Sequence, residues 1–188
     1  NKIILVAGAG GLLGTRLVSG ILAQGGKVIA ADINIEAMTE RLVSLGVDVT
    51  DKNLMLSALD VTKADSVSQL LATHMNIDGV VNSTYPRNKT YGAHFFDVSV
   101  DSFNENLSLH LGSAFLFTQQ CASYFKRHET PLSLVNISSI YGVVAPKFEI
   151  YENTPMTMPI DYAEIHSAIQ PLKKDTVAYV NDGRFRID

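Results

Sequence analysis

The chain opens on a strand that runs straight into three glycines spaced three apart, and this junction limits what it can fold into. Ile3, Ile4, Leu5 and Val6 form an unbroken apolar run, the pattern of a strand covered on both faces. Gly8, Gly11 and Gly14 follow, and a helical stripe of Leu17, Val18, Ile21 and Leu22 comes next. Strand, glycine turn and helix together make a pyrophosphate site. Glycine lets the backbone approach closely, and the helix N-terminus supplies unpaired N–H groups and the positive end of a dipole. The spacing predicts a dinucleotide-binding turn built from Gly8, Gly11, Leu13 and Gly14.

The same strand–helix alternation continues along the chain and predicts a doubly wound parallel α/β sheet between two helix layers. KVIAAD, Lys27 to Asp32, reads as the second strand, and Asn34 caps a helix reaching about Leu45. Asn53 to Asp60 is the third strand; Thr62 caps the next helix, with Asp65 in the capping-box position. Asp78 to Asn82 is the fourth strand, followed by a polar loop to Val98 and a long helix over Asp101 to Arg127. Leu132 to Ser138 is the fifth strand, and a loop rich in Pro and Met leads to a last helix near Ile160. Arg184 to Ile187 starts a sixth strand.

Asp32 ends the second strand 24 positions after Gly8, the place of an acidic residue that hydrogen-bonds a ribose 2′-hydroxyl. A carboxylate there repels a 2′-phosphate, and no Arg or Lys sits beside it, so NAD is expected over NADP. Asp60 and Val61, at the end of the third strand, face an adenine edge or simply make a strand-to-helix turn. Asn82, at the end of the fourth, fixes a loop beside the cofactor or is only a polar strand terminus.

At 188 residues the chain suits a single domain, 1–188, able to bury roughly 70% of its unfolded surface. A net charge of -4 gives no field for nucleic acid. Cys121 is the only cysteine, which points to a reducing compartment, the cytoplasm, and no apolar run approaches the ~20 residues that span a bilayer. The glycine turn explains the apolar N-terminus better than a signal peptide does.

Taken together, several segments resemble the short-chain dehydrogenase/reductase family. They are VAGAGGLLG, LDV at Leu59 to Val61, VVN ending at Asn82, HLGSAFLFTQ from His110, NISSIYG from Asn136 and YAEIH from Tyr162, in the family's order. Tyr85 to Gly92 and Ile140 to Pro159 are similar to the oxidoreductases of bacterial flagellin modification and nonulosonic-acid sugar biosynthesis. The resemblance implies a Rossmann-like fold, NAD as hydride carrier, a small-molecule substrate and a homo-oligomer paired through the central and last helices. It implies Tyr162 as acid/base and Ser139 as the hydrogen bond to the substrate oxygen. It also implies a chain shortened at its C-terminal end, without the family's seventh strand and substrate lid.

The chain departs from the family's pattern at His166, where a lysine belongs. That lysine binds the nicotinamide ribose and lowers the phenol's pKa, a task of about three units from 10, roughly 4 kcal/mol. His166 keeps the i,i+4 spacing from Tyr162 but is shorter and mostly neutral at pH 7, so weak activation is expected. His110 replaces an asparagine that holds a relay water, or else packs in a helix interface. Pro171 costs the last helix about 3 kcal/mol or ends it early. Arg87, Lys89 and Lys147 follow strand ends and are candidates to meet an anionic sugar. Tyr141, Phe148, Tyr151, Met156 and Met158 are pocket or lid candidates that equally fit packing on the neighbouring helix. Three readings follow: an NAD-dependent sugar or alcohol oxidoreductase, a non-catalytic dinucleotide-binding relative or inactive fragment, and a nucleotide-sugar epimerase or dehydratase, which the HLGSAF helix disfavours.

Overall fold

The computed structural model describes residues 1–154 and 157–188. Strands β1 (Ile3–Ala7), β2 (Lys27–Asp32), β3 (Leu54–Ala58), β4 (Gly79–Asn82), β5 (Leu132–Asn136) and β6 (Phe185–Ile187) form one six-stranded sheet. Their order is β3-β2-β1-β4-β5-β6, and every neighbouring pair is parallel. The winding reverses between β1 and β4, so a crevice opens at the carboxyl ends of these two strands.

Alternate residues of each strand feed two cores. Leu5, Ile29, Val80 and Leu134 point to one face, where α3 (Ala64–Thr73) and α5 (Ser113–His128) cover them with Leu71 and Phe117. Val6, Val28 and Ala30 point to the other, under α1 (Leu12–Ala23) and α2 (Ile35–Ser44), where Val18, Met38 and Leu42 are fully buried. This is the expected doubly wound, three-layer arrangement. Among the described residues, no helix is long and apolar enough to cross a membrane.

Local rules account for most element ends. Asn34 caps α2 by accepting the Ala37 N–H at 3.0 Å. Gly11 caps α1 without any side-chain bond, which leaves the first N–H groups of that helix free. One expected cap is corrected. Lys63, not Thr62, is the residue before α3, and the Thr62 hydroxyl instead donates to Asp60 Oδ1 at 2.6 Å. The aspartate just upstream is the nearer acceptor, so it draws the threonine into the turn.

The expected long helix is helical from Val100 to His128, but in three parts. α4 (Val100–Asn106) passes through a π-helical stretch, Leu107–Gly112, into α5. Such wide turns are rare and occur mostly at functional sites; this one carries His110. The last helix, α6 (Ile160–Val180), runs on past Pro171, so the proline does not end it early. The ring still removes one backbone donor there. Pro171→Ala is therefore expected to stabilise the fold by about 1 kcal/mol or more, read in thermal denaturation as a rise of about 2–4 °C per kcal/mol.

Candidate active site

The turn after β1 is packed too tightly for side chains. Gly8 has φ +78°, and a Cβ on it would stand 2.8 Å from the Ser83 carbonyl oxygen. A Cβ on Gly14 would run into the Gly8 carbonyl. Gly14 therefore serves helix–strand packing, while Gly8, Gly10 and Gly11 line a cleft of about 610 Å³ at the crevice. Leu13 stands 58% exposed, outside the cleft walls.

Asp32 forms part of this cleft, and its carboxylate is held by backbone. Oδ2 accepts the Gly10 N–H at 2.8 Å and Oδ1 accepts the Asn34 N–H at 3.1 Å. Each oxygen keeps a further lone pair for a ligand hydroxyl. Asp60 and Val61 line the same cleft. Asn82 lies behind it. Its amide donates to Asn136 Oδ1 at 3.1 Å, and its Oδ1 accepts from the Thr84 N–H and hydroxyl at 3.2 and 2.7 Å. Asn82 thus fixes the loop that supplies Thr84 and Tyr85 to the cleft. No Arg or Lys flanks Asp32 in the sequence, but the fold brings one to the cleft. Arg41, nine residues on, turns into the cleft and donates from Nη1 to the Gly10 carbonyl at 2.8 Å.

A second cavity of about 530 Å³ adjoins the first and shares Tyr85 and Arg87 with it. Ser139, Tyr141, Tyr151, Met158 and Tyr162 line it. The loop after β5 is clamped to α6 close to Ser139 and Tyr162. Ser138 Oγ donates to the His166 carbonyl at 3.1 Å, and a Cβ on Gly142 would lie 2.7 Å from the His166 carbonyl carbon. Lys89, Lys147 and Phe148 are exposed and outside this lining, and Met156 lies outside the described residues.

Behind Tyr162 stands a packed group of rings. The centroid of His166 is 4.2 Å from that of Tyr162 and 5.2 Å from that of His110, while Tyr85 is 4.7 Å from His110 and 5.8 Å from Tyr162. Both histidines are buried, and neither ring nitrogen of His166 has a hydrogen-bond partner among the described residues. Burial lowers the pKa of His166. It pushes His110 down to about 4, with a smaller push from His166. Burial also raises the Tyr85 phenol above its ordinary value, so Tyr85 stays protonated. Asp161, buried at the start of α6, is likewise raised by burial, against the opposing hydrogen bond from Asn106. Sequence reasoning does not assign Gly10, Asn34, Arg41 or Tyr85 to the site. Gly10 lies within VAGAGGLLG, Asn34 reads only as a helix cap and Tyr85 only as part of Tyr85 to Gly92, while nothing points to Arg41.

A glycine cradle closed to side chains, a helix start with free N–H groups and a carboxylate at the end of β2 fit a dinucleotide: pyrophosphate on the turn, ribose at Asp32. The sequence pattern that describes short chain dehydrogenases matches residues 2–152. The chain belongs to the short-chain dehydrogenase family. Post-translational flagellin modification protein A of Campylobacter coli is 38% identical over 184 residues, 92% of this chain and 68% of that protein. The 7alpha-hydroxysteroid dehydrogenase of Bacteroides fragilis is 27% identical over 155 residues, 77% of this chain and 56% of that protein. Among solved structures, an NAD+-bound short chain dehydrogenase from Leptospira borgpetersenii superposes with a TM-score of 0.81 at 23% identity, over 99% of this chain and 68% of that one. One from Mycobacterium smegmatis gives 0.79 at 19% identity, over 100% and 73%.

The buried histidines set a pH dependence. Below about 6.5 the unfolded chain takes up protons that the fold refuses, so stability is full above that value. It is lost as pH falls toward about 4, where His110 itself charges. Denaturant titrations at a series of pH values should show a shallower loss over that window for His110→Leu than for the parent chain.

Proposed function

We propose that the chain is the NAD-dependent catalytic unit of a short-chain dehydrogenase, transferring hydride between NAD(H) and a hydroxyl or carbonyl of a sugar-like or alcohol substrate. The observation that carries this reading is the pairing of Ser139 and Tyr162 across one cavity that adjoins the glycine-lined cleft. Bound NAD would supply the hydride acceptor or donor. Ser139 Oγ, which accepts the Tyr141 N–H at 3.2 Å, is free to donate its own proton to the substrate oxygen. In oxidation, the Tyr162 phenolate takes the proton of the substrate hydroxyl as the C–H bond gives up its hydride; in reduction, the phenol returns it.

Asp32 supports NAD over NADP, because a 2′-phosphate on that wall would face a carboxylate; the Arg41 guanidinium gives one N–H to the Gly10 carbonyl and keeps its charge. The kinship with a flagellin modification protein supports a role in surface-glycan or flagellin sugar chemistry. A cytoplasmic setting accords with the lone, buried Cys121. Exposed Phe115 on α5 and Tyr179 on α6 support assembly of subunits through these helices.

One observation favours the second reading, a dinucleotide-binding protein without turnover. His166 occupies the place of the family's lysine, yet burial keeps it neutral and it lines neither cavity. It therefore brings no fixed positive charge to Tyr162. Calorimetry tests what the two readings share, and turnover separates them. NAD should bind in the micromolar range and Asp32→Ala should weaken it about tenfold or more, the worth of hydrogen bonds to a charged acceptor. No heat with NAD would sink both. A rise in dehydrogenase turnover in His166→Lys, abolished by adding Tyr162→Phe, is expected for a catalytic unit held back by its histidine. An unchanged rate would show that His166 is not the limiting defect.

A further inference from the structure

We propose that Arg87 is the anion-recognition residue of the second cavity, and hence that the substrate is a polyhydroxylated small molecule bearing a carboxylate or phosphate. This inference rests on the reading of that cavity as the substrate site. Arg87 is the one charged side chain among the described residues of the cavity wall. Around it, the wall is tyrosine, serine, threonine, methionine, proline and glycine, with no carboxylate to compete for the guanidinium.

The cation is also held in place. Its guanidinium carbon lies 5.4 Å from the ring centroid of Tyr85 and 5.9 Å from that of Tyr91, and the two rings are nearly perpendicular at 5.5 Å. An arginine held against two rings loses less freedom on binding than a free one, and the ring faces leave its N–H edge for a planar anion. Among the described residues Arg87 makes no ion pair, although Lys2, Lys173 and Arg184 each find an acidic partner. Lys89 and Lys147, the other cations of the two loops, lie outside the cavity lining, whereas Arg87, though also exposed, forms part of it. Recognition of charge therefore falls to Arg87.

Its neighbours say what else the ligand carries. Tyr141, Tyr151, Tyr162, Ser139 and Thr157, all hydroxyl-bearing, line a space of about 530 Å³, suited to a ring with several hydroxyl groups rather than to a hydrocarbon; the Tyr151 hydroxyl already donates to Met158 Sδ. The anion would sit at Arg87 while one hydroxyl carbon faces Ser139 and Tyr162. The position of Arg87 on both cavities raises one rival, a role on the cofactor pyrophosphate.

The test uses the full chain loaded with NAD and three matched probes: glucose, glucuronate and glucose 6-phosphate, with affinities read by calorimetry. At least one anion should bind about tenfold or more tightly than glucose, and which one does so distinguishes carboxylate from phosphate. Arg87→Gln should erase that preference while NAD affinity stays within about threefold, and Arg87→Lys should restore only part of it. Equal affinity for all three probes, or no binding by any of them, overturns the proposal. So does an Arg87→Gln protein that keeps the preference and loses NAD, which would assign the residue to the cofactor. NAD binding measured first in the same experiment tells a failure of this inference from a failure of the dinucleotide reading.

Discussion

The contact between Gly14 and the Gly8 carbonyl governs the layout of this protein. With no side chain between them, α1 docks against the end of β1 closely enough for its N–H groups to face the crevice. The same turn leans on the Ser83 carbonyl through Gly8, which brings the loop after β4 alongside. Both walls of the cleft are therefore set by backbone touching backbone. A Cβ at either glycine would stand closer than 3.0 Å to backbone atoms, so a side chain there would force the walls to shift.

Much of this was legible in the sequence because it obeys short-range rules. An apolar run bounded by glycines is a buried strand, an asparagine before a helical stripe is a cap, and both readings hold at Ile3–Ala7 and Asn34. Asp32 was legible for the same reason: its place at a strand end follows from counting along the chain. Arg41 was not, because it reaches Gly10 across a helix turn and a loop, a meeting made by the docking of α2. The ring cluster of Tyr85, His110, Tyr162 and His166 draws on three separate segments, and no local pattern announces it. The Thr62 cap failed for a subtler reason. A capping hydroxyl must accept a helix N–H, but Thr62 stands one residue before the cap position and its hydroxyl donates to Asp60, two residues away.

The histidine four residues after Tyr162 shows how residue type and environment act together. A lysine four residues after Tyr162 would have a flexible stem to carry its charge out of the core, whereas an imidazole stays where its ring packs. His166 is wedged against Tyr162 on one side and His110 on another, and its backbone carbonyl holds Ser138. The position is thus structural as well as chemical. It joins the serine loop to the tyrosine helix, whatever its side chain does for protons.

The π-helical stretch at Leu107–Gly112 has a consequence for how this lineage can change length. A wide turn accommodates one more residue than an α-helical turn, so removing a single residue there would restore regular helix and leave the turns beyond it in phase. The same loss within the start of α5 would rotate everything beyond it by about 100° and swing Phe117 and Cys121 out of the core. The wide turn thus gives a long buried helix a place to lose a residue that its regular part does not have.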